Sequence, residues 1–433
     1  MEVRDPVHGS IHILDEEKKI IQHDFFQRLR NIKQLGFSEY VFPGATHTRF
    51  IHSIGVMNIG EKAFDKLFKG RVYDQDILRL KETFKLACLL HDIGHAPLSH
   101  STETVMPGLD ELHIPERFLC EKDKNSKRQA THEDYTIKAI ADSSFAESFS
   151  DVEKSFGVER KFIADLIRGD TDDSTYFTID GIDYFILLHQ LVSSELDCDR
   201  MDYLLRDSYF CGVSYGSYDL DWLLDNLEPA IIDNKAYLGI SERAVVTFDD
   251  FLLSRYHMFV MVYFHYRAVC LEQLLYKYFE TAKGEYLIPA DIEEYIEHDD
   301  HHLMKIMRNS TNPYAQSIVK NKIPPKIFES FNDTQTKQLQ VVQDYLESEG
   351  IEYIRCSSKG RLSKYYGEEH GNKYSMKVAR KTLGNSKTEY FDINKATDLF
   401  TKFAEAHSIN RLHCNTDLLS ESQMAKIAEL TRQ

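Results

Sequence analysis

The sequence predicts a mainly α-helical protein with a smaller α+β part at its C-terminal end. Three observations carry this reading. Ile20, Ile21, Phe25, Phe26, Leu29, Ile32 and Leu35 recur mostly at spacings of 3 and 4, the period of a helix that buries one face. The apolar run Leu86, Ala87, Leu89 and Leu90 leads straight into His91 and Asp92, as a buried helix running into polar chemistry would. Within residues 351–395 the pattern changes to short strand-like pieces, IEYIRC and TEYFDI, among basic loops that contain Gly and Ser.

At 433 residues and 42% hydrophobic, the chain is long enough for one large domain with an appendage, or for two domains. The expected division is a helical core at 1–285 and an α+β region at 286–433. Seven cysteines are scattered, odd in number and without a CxxC pair. That fits reduced thiols in a cytoplasm and not a disulfide framework. No apolar run approaches the roughly 20 residues that span a bilayer, so no membrane partner is expected. MEVRDPVHG lacks the charged-then-apolar pattern of a signal peptide. The net charge of −17 argues against general nucleic-acid binding by the whole surface. It leaves room for a small polyanion, because a cation and a few arginines reverse the field within one cleft.

In chain order, residues 1–15 read as a turn, DPVHG, and a short extended piece. Residues 16–36 read as helix. Pro43 and Gly44 interrupt it, and the next helix carries Arg49 and His52, three apart. Residues 106–131 are polar and longer than most connections, so they read as a surface insertion. Thr131 stands before His132 and Glu133 as an N-cap candidate. Residues 135–195 read as mixed helices and loops. Asp197, Asp199, Asp202 and Asp207 then fall on one helix, where Asp202 and Arg206, four apart, read as a structural pair. Residues 221–247 hold strand candidates, IID–NKAYLGI and AVVTF, with Asp233-Asn234 as a hairpin turn. Helix is expected again at 249–280, 290–330 and 395–432.

The chain is organised around Leu86–His100, LACLLHDIGHAPLSH. An imidazole beside a carboxylate in an apolar helix must be satisfied or bound. His91 and His95 are four apart and share a face on a helix, while Gly94 admits a close neighbour. A satisfied core pair is the plain reading of His-Asp alone. With a second histidine after an apolar helix, a metal is the better reading. A divalent ion wants about four to six donors, and imidazole with carboxylate suits Fe, Zn, Mn or Ni. His52 upstream and Asp199 downstream extend the set to His52, His91, Asp92 and Asp199.

That order is the signature of HD-domain phosphohydrolases, and the resemblance goes further. DPVHG at 5–9, FQRLRNIKQLG at 26–36, YVFPGATHTRFIHSIGV at 40–56, HDIGHAPLSH at 91–100, THE at 131–133 and LDCDRMDYLLRD at 196–207 form a series. The series resembles the deoxynucleoside triphosphate triphosphohydrolases. The likeness is nearest to the branch with the vertebrate SAM-and-HD-domain enzymes and their bacterial dGTPase-like relatives. It runs from Asp5 to about Arg267.

The resemblance implies an HD-domain helical core that hydrolyses a dNTP to deoxynucleoside and inorganic triphosphate. It implies one divalent transition metal (Fe, Mn, Zn or Ni) on His52, His91, Asp92 and Asp199, with Mg²⁺ arriving on the triphosphate. His95, His100 and His132 would surround the phosphates, one of them protonating the leaving 5′-oxygen. Glu103 stands where the family has an aspartate and would orient a histidine. Gln34 and Leu35 match positions lining the sugar and base pocket. Arg49, Arg200 and Arg255 match phosphate-side positions, Arg200 in place of a lysine of the vertebrate branch. Tyr203, Asp207 and Tyr263 match sugar- or base-side positions. Gln27 and Arg30 match a nucleotide-activator site, and His265 another nucleotide-side histidine of an allosteric kind. Two further positions depart from the pattern: Gln22 replaces the acid that reads guanine in that branch, and Tyr266 replaces the lysine after His265. Relatives assemble as dimers, tetramers or hexamers, so a homo-oligomer is implied. Residues 286–433 would regulate, oligomerise or complete the fold.

Two other readings stay open. One is another HD-type phosphohydrolase, acting on nucleoside monophosphates or cyclic nucleotides. The other is a nucleotide-sensing or nucleic-acid-binding protein with a weak site. The FQRLR…TRFIHS series and DRMDYLLRD speak against the first, and the full ligand set against the second.

Overall fold

The computed structural model describes residues 1–331, 335–360, 375–381, 388–397, 399 and 407–432. The chain opens with a hairpin of β1 (Glu2–Asp5) and β2 (Gly9–His12). Short helices α1 (Lys18–Gln22) and α2 (Asp24–Gln27) lead to two long ones, α3 (Arg49–Leu67) and α4 (Gln75–Leu90). Next come α5 (His132–Ala141), α6 (Ser150–Phe156), α7 (Arg160–Arg168), α8 (Phe185–Val192) and α9 (Cys198–Cys211). Strands β3 (Thr178–Ile179) and β4 (Ile182–Asp183) lie between α7 and α8.

After α10 (Leu220–Asp225), strands β5 (Leu227–Ile232) and β6 (Lys235–Ser241) pair antiparallel. Asp233 and Asn234 connect them with φ of 50° and 58°. Both sit in the left-handed region that this hairpin turn requires and that these two residue types tolerate. Helices α11 (Val245–Met258), α12 (Tyr266–Thr281), α13 (Asp300–Asn309) and α14 (Pro313–Val319) follow. The last part holds β7 (Lys326–Phe331), α15 (Thr336–Ser348), β8 (Tyr353–Gly360), β9 (Lys377–Lys381), β10 (Thr388–Asp392), β11 (His407–Cys414) and α16 (Glu421–Arg432).

The predicted class, a helical core with a smaller sheet-containing C-terminal part, is what the structure has. α3 is buried along most of its length and packs against both α4 and α9, so the helices carrying the motifs meet around it. One apolar core runs from Ile11 through to Ile393 and takes in residues on both sides of position 285. A second, small cluster of Phe328, Leu339, Val342, Leu346, Leu412 and Ile427 lies between α15, α16 and the sheet ordered β7-β11-β8. β9 and β10 instead join the sheet of β6, β4 and β3. No described helix is long and apolar enough to cross a membrane.

Several expected elements differ. Residues 16–36 are not one helix. His23 turns extended at ψ 143°, and its ring accepts from the Phe25 N–H to start a new helix. The chain tightens at Arg28–Asn31, and Ile32 is extended. The apolar period survives because these short pieces bury the same face. AVVTF is not a strand but the start of α11. Residues 407–414 are not helix but the central strand of the second sheet, and 326–331 is its edge. The 106–131 stretch is not a free surface insertion, since Met106, Leu109, Leu112, Ile114 and Phe118 are buried and pin it down. The basic loops at 361–374 and 382–387 lie outside the described residues.

Candidate active site

Three helices deliver four donors to one point. α3 brings His52, the end of α4 brings His91 and Asp92, and the first turn of α9 brings Asp199. α4 stops at Leu90 with His91 as its C-cap. His91 and His95 therefore do not share a helix face, as their spacing had suggested. The chain turns after His91 and lays both against the site. Gly94 permits this: a Cβ there would lie 2.1 Å from the His132 carbonyl oxygen and 2.4 Å from the Thr136 nitrogen. The glycine lets the motif pack directly on the start of α5.

The donor atoms of His52, His91, Asp92 and Asp199 all lie within 4.8 Å of one another. His52 Nε2 is 3.0 Å from Asp199 Oδ1, and His91 Nε2 is 3.6 Å from the same oxygen and 3.5 Å from Asp92 Oδ1. Neither Nε2 has a hydrogen bond of sound geometry, although both are buried. Buried polar atoms seldom go unsatisfied, and two imidazole lone pairs facing two carboxylates are the donor chemistry of a divalent transition metal.

Both rings are fixed from behind. His91 Nδ1 donates to the Cys88 carbonyl at 2.8 Å, and His52 Nδ1 to Asp202 Oδ2 at 2.8 Å. Asp202 in turn accepts from Arg206 Nε (2.7 Å) and Nη2 (2.8 Å), and His8 Nε2 lies 2.6 Å from its Oδ1. Arg206 Nη1 reaches Asp5 at 2.8 Å. Second partners of this kind set the tautomer and aim the ligand. Gly55 makes room for them, since a Cβ there would stand 2.0 Å from Asp202 Oδ1.

The electrostatics follow from the same contacts. Burial alone would push His52 and His91 down. For His52, Asp199 and Asp202 outweigh burial, and for His91, Asp92 and Asp199 do, so each rises to about 9. Asp92 is held well below the usual carboxylate range: burial opposes this, and Arg49, His91 and His95 overcome it. The quartet is thus a pocket of negative potential that favours a cation.

Beside it stands a second cluster of His95, His100, His132 and Glu103. The rings of His95 and His132 stack at 3.9 Å, and His100 sits edge-on to both. Glu103 Oε1 lies 2.5 Å from His132 Nδ1 and 3.1 Å from His100 Nδ1. Burial opposes the charge on Glu103, but His100 and His132 hold its carboxyl down at about 2. Burial, then Arg49 and His132, push His95 well below the usual histidine range, so its ring is neutral. Thr131 starts α5 with a capping box to Asp134, as its position predicted, and this orients His132. Arg49 pairs with Asp92, and its Nε donates to Ser99 Oγ at 3.0 Å.

A cavity of about 390 Å³ joins the two clusters and includes Gln34, Arg49, Arg200 and Tyr203 in its wall. That volume is within the range of small-molecule sites. Not every expected residue reaches it. Leu35 packs on the core. Asp207 lies behind the wall, with His47 Nε2 at 2.7 Å from one oxygen and the Tyr263 hydroxyl donating to the other at 2.7 Å. Tyr203 meets Tyr263 edge-on, so the wall is backed by that pair. Arg255 donates to Glu195 at 2.7 Å. Gln27 and Arg30 lie in a separate cavity of about 740 Å³, together with Gln22, His47 and Phe210. His265 is not among its lining residues. Instead it caps α12 by accepting from Arg267 N. Asp5 and His8, read from the sequence as part of a plain turn, and Glu195 make contacts with the expected residues that the sequence did not show.

Residues 49–175 match the HD domain, and residues 219–349 match the HD associated region. His52, His91 and Asp92 fall inside the first match, and Asp199 lies between the two. The chain is 29% identical over 437 residues to YwfO of Bacillus subtilis, described as uncharacterized, covering 99% of this chain and 87% of that one. It is 30% identical over 330 residues to a Dictyostelium discoideum protein named deoxynucleoside triphosphate triphosphohydrolase SAMHD1 homolog. That match covers 74% of this chain and 57% of the other, and three further relatives are spanned over 57% to 60% of their length. A hypothetical protein from Aquifex aeolicus with a crystal structure superposes at a TM-score of 0.72 and 25% identity over 99% of both chains.

Proposed function

We propose that this HD-domain chain is a metal-dependent phosphohydrolase whose reaction is dNTP plus water giving deoxynucleoside and inorganic triphosphate. One observation carries this: a four-donor His/Asp cluster and a three-histidine cluster border a single cavity with Arg49, Arg200 and the aromatic wall at Tyr203. The name of the Dictyostelium relative points the same way.

His52, His91, Asp92 and Asp199 would hold a divalent transition metal, their two unpartnered Nε2 atoms being the fit. Such an ion supplies Lewis acidity toward a phosphate oxygen and acidifies water. The chain's own residues do the rest. Arg49 retains guanidinium donors beyond those used on Asp92 and Ser99, and these suit phosphate oxygens. Glu103 Oε1 lies 2.5 Å from His132 Nδ1 and fixes the orientation of that ring. Water attacks the α-phosphorus and the bond to the 5′-oxygen breaks. His132 protonates that oxygen and recovers a proton from the attacking water. Mg²⁺ would travel with the triphosphate. Incubation with each of the four dNTPs and four NTPs, with Mg²⁺ and Mn²⁺, singly and mixed, tests the substrate class. Turnover confined to monophosphates or cyclic nucleotides would replace it.

The aromatic wall gives a sugar prediction. A ring packed against the 2′ carbon leaves a ribose hydroxyl clashing or unpaired, which costs about 1–3 kcal/mol. dGTP should therefore be hydrolysed roughly 10- to 100-fold faster than GTP at equal concentration. Equal rates on dGTP and GTP would refute the sugar gate.

The second cavity gives a regulatory one. An acid can accept from both N1–H and the 2-amino group of guanine, whereas Gln22 has one acceptor and an amide donor. GTP alone is therefore expected not to activate the enzyme, and any activation should come from a dNTP. Rates on dATP, dCTP and dTTP with and without GTP measure this. Strong GTP stimulation that vanishes in Gln22→Ala would contradict it. The same reading includes a homo-oligomer, which sedimentation velocity checks.

A further inference from the structure

We infer that Cys270, Cys356 and His413 form a second metal site, for a soft divalent cation such as zinc, that clamps α12 to the β7-β11-β8 sheet. Cys270 lies on α12, Cys356 on β8 and His413 on β11. Three elements far apart in sequence thus bring one donor each to a common point. All three residues are completely buried, and their donor atoms lie within 4.8 Å of one another. Among the described residues, no other cluster of this kind pairs thiols with an imidazole.

The histidine gives the independent sign. His413 Nδ1 lies 2.9 Å from the Pro324 carbonyl oxygen and donates to it, which leaves the lone pair on Nε2. That atom is buried and makes no hydrogen bond of sound geometry, with the Cys356 thiol beside it. A lone pair left so in a dry core is costly, and two thiols are weak donors for it. A cation accepting from Nε2 and from both sulfurs, as thiolates, would satisfy all three. Zinc takes this donor set with bonds of about 2.3 Å to sulfur and 2.0–2.1 Å to nitrogen. In a tetrahedron those bond lengths put the donors about 3.5–3.8 Å apart, inside the 4.8 Å that bounds them here. Binding releases the thiol protons to solvent.

A cavity of about 1080 Å³ borders the cluster, with His413, Ile354, Arg267 and Asn321 in its wall. It has room for water as the fourth ligand. The His/Asp quartet around His52 offers only nitrogen and oxygen donors, so the two sites are chemically distinguishable. The clamp would tie the C-terminal sheet to the helix that begins at Tyr266, three residues after Tyr263.

The test uses the full chain, purified under reducing conditions and loaded with Co²⁺. Thiolate-to-cobalt charge-transfer absorption is expected, and the His/Asp quartet cannot give it. Zinc analysis should find one equivalent per chain beyond the metal of that quartet. His413→Ala and Cys356→Ser should each lose this equivalent and keep the other metal, while Asp199→Ala should do the reverse. No charge-transfer band in the wild-type chain overturns the proposal, whether or not the variants fold. So does zinc content unchanged in both variants, or a Cys270–Cys356 disulfide in place of bound metal.

Discussion

Asp199→Ala is expected to strip the bound metal and bring turnover to background while the chain stays folded. Asp199 faces both unpartnered imidazole nitrogens, at 3.0 Å from His52 Nε2 and 3.6 Å from His91 Nε2. The two rings hold its carboxyl below the usual range in spite of burial. Without it, three donors remain, and the two histidines lose the carboxylate between them. The side chain borders the cavity, so its removal opens space to water and not a void in the core. The double change His91→Ala with Asp92→Ala should do the same. Metal analysis, circular dichroism and nucleotide hydrolysis on each variant check this together. Full metal occupancy in either would contradict the ligand assignment.

Asp202→Ala should have the largest effect on stability. Its carboxylate is fully buried and accepts from Arg206 twice and from His52, with His8 also in contact. Arg206 is fully buried too and keeps only Asp5 when Asp202 is gone. Removing one partner of a buried pair leaves an uncompensated charge, which costs about 3–5 kcal/mol. Losing the carboxylate behind His52 should also weaken metal binding about 10- to 100-fold. Urea unfolding gives the first number and metal titration the second. A stability loss of about 1 kcal/mol or less, the scale of an exposed pair, would contradict the network.

The quartet could be read in the sequence because each ligand sits in a short local pattern with its own spacing. The Asp202–Arg206 pair was visible for the same reason, being four apart on one helix. The turn at Asp233-Asn234 and the cap at Thr131 were visible because their chemistry is local. Asp5 and His8 were not. Their work is done on Arg206 and Asp202, about two hundred positions away, and the local sequence carries only the turn, in which Asp5 also accepts from Val7 and His8. The end of α4 at Leu90 was hidden by the continuing apolar period: Ile93 and Ala96 are buried as they would be on a helix. β11 was hidden because it is paired on both sides, so its burial reflects neighbours and not a two-residue alternation. Cys270, Cys356 and His413 have no spacing at all, since each comes from a different element.

The most direct test of the proposed reaction is hydrolysis of a dNTP in ¹⁸O-labelled water, with products separated by anion exchange and read by ³¹P NMR and mass spectrometry. The account predicts deoxynucleoside and inorganic triphosphate in equal amounts, with the label in the triphosphate and none in the 5′-hydroxyl. Deoxynucleoside monophosphate with pyrophosphate, diphosphate with orthophosphate, or no turnover of any dNTP by the metal-loaded chain would contradict it.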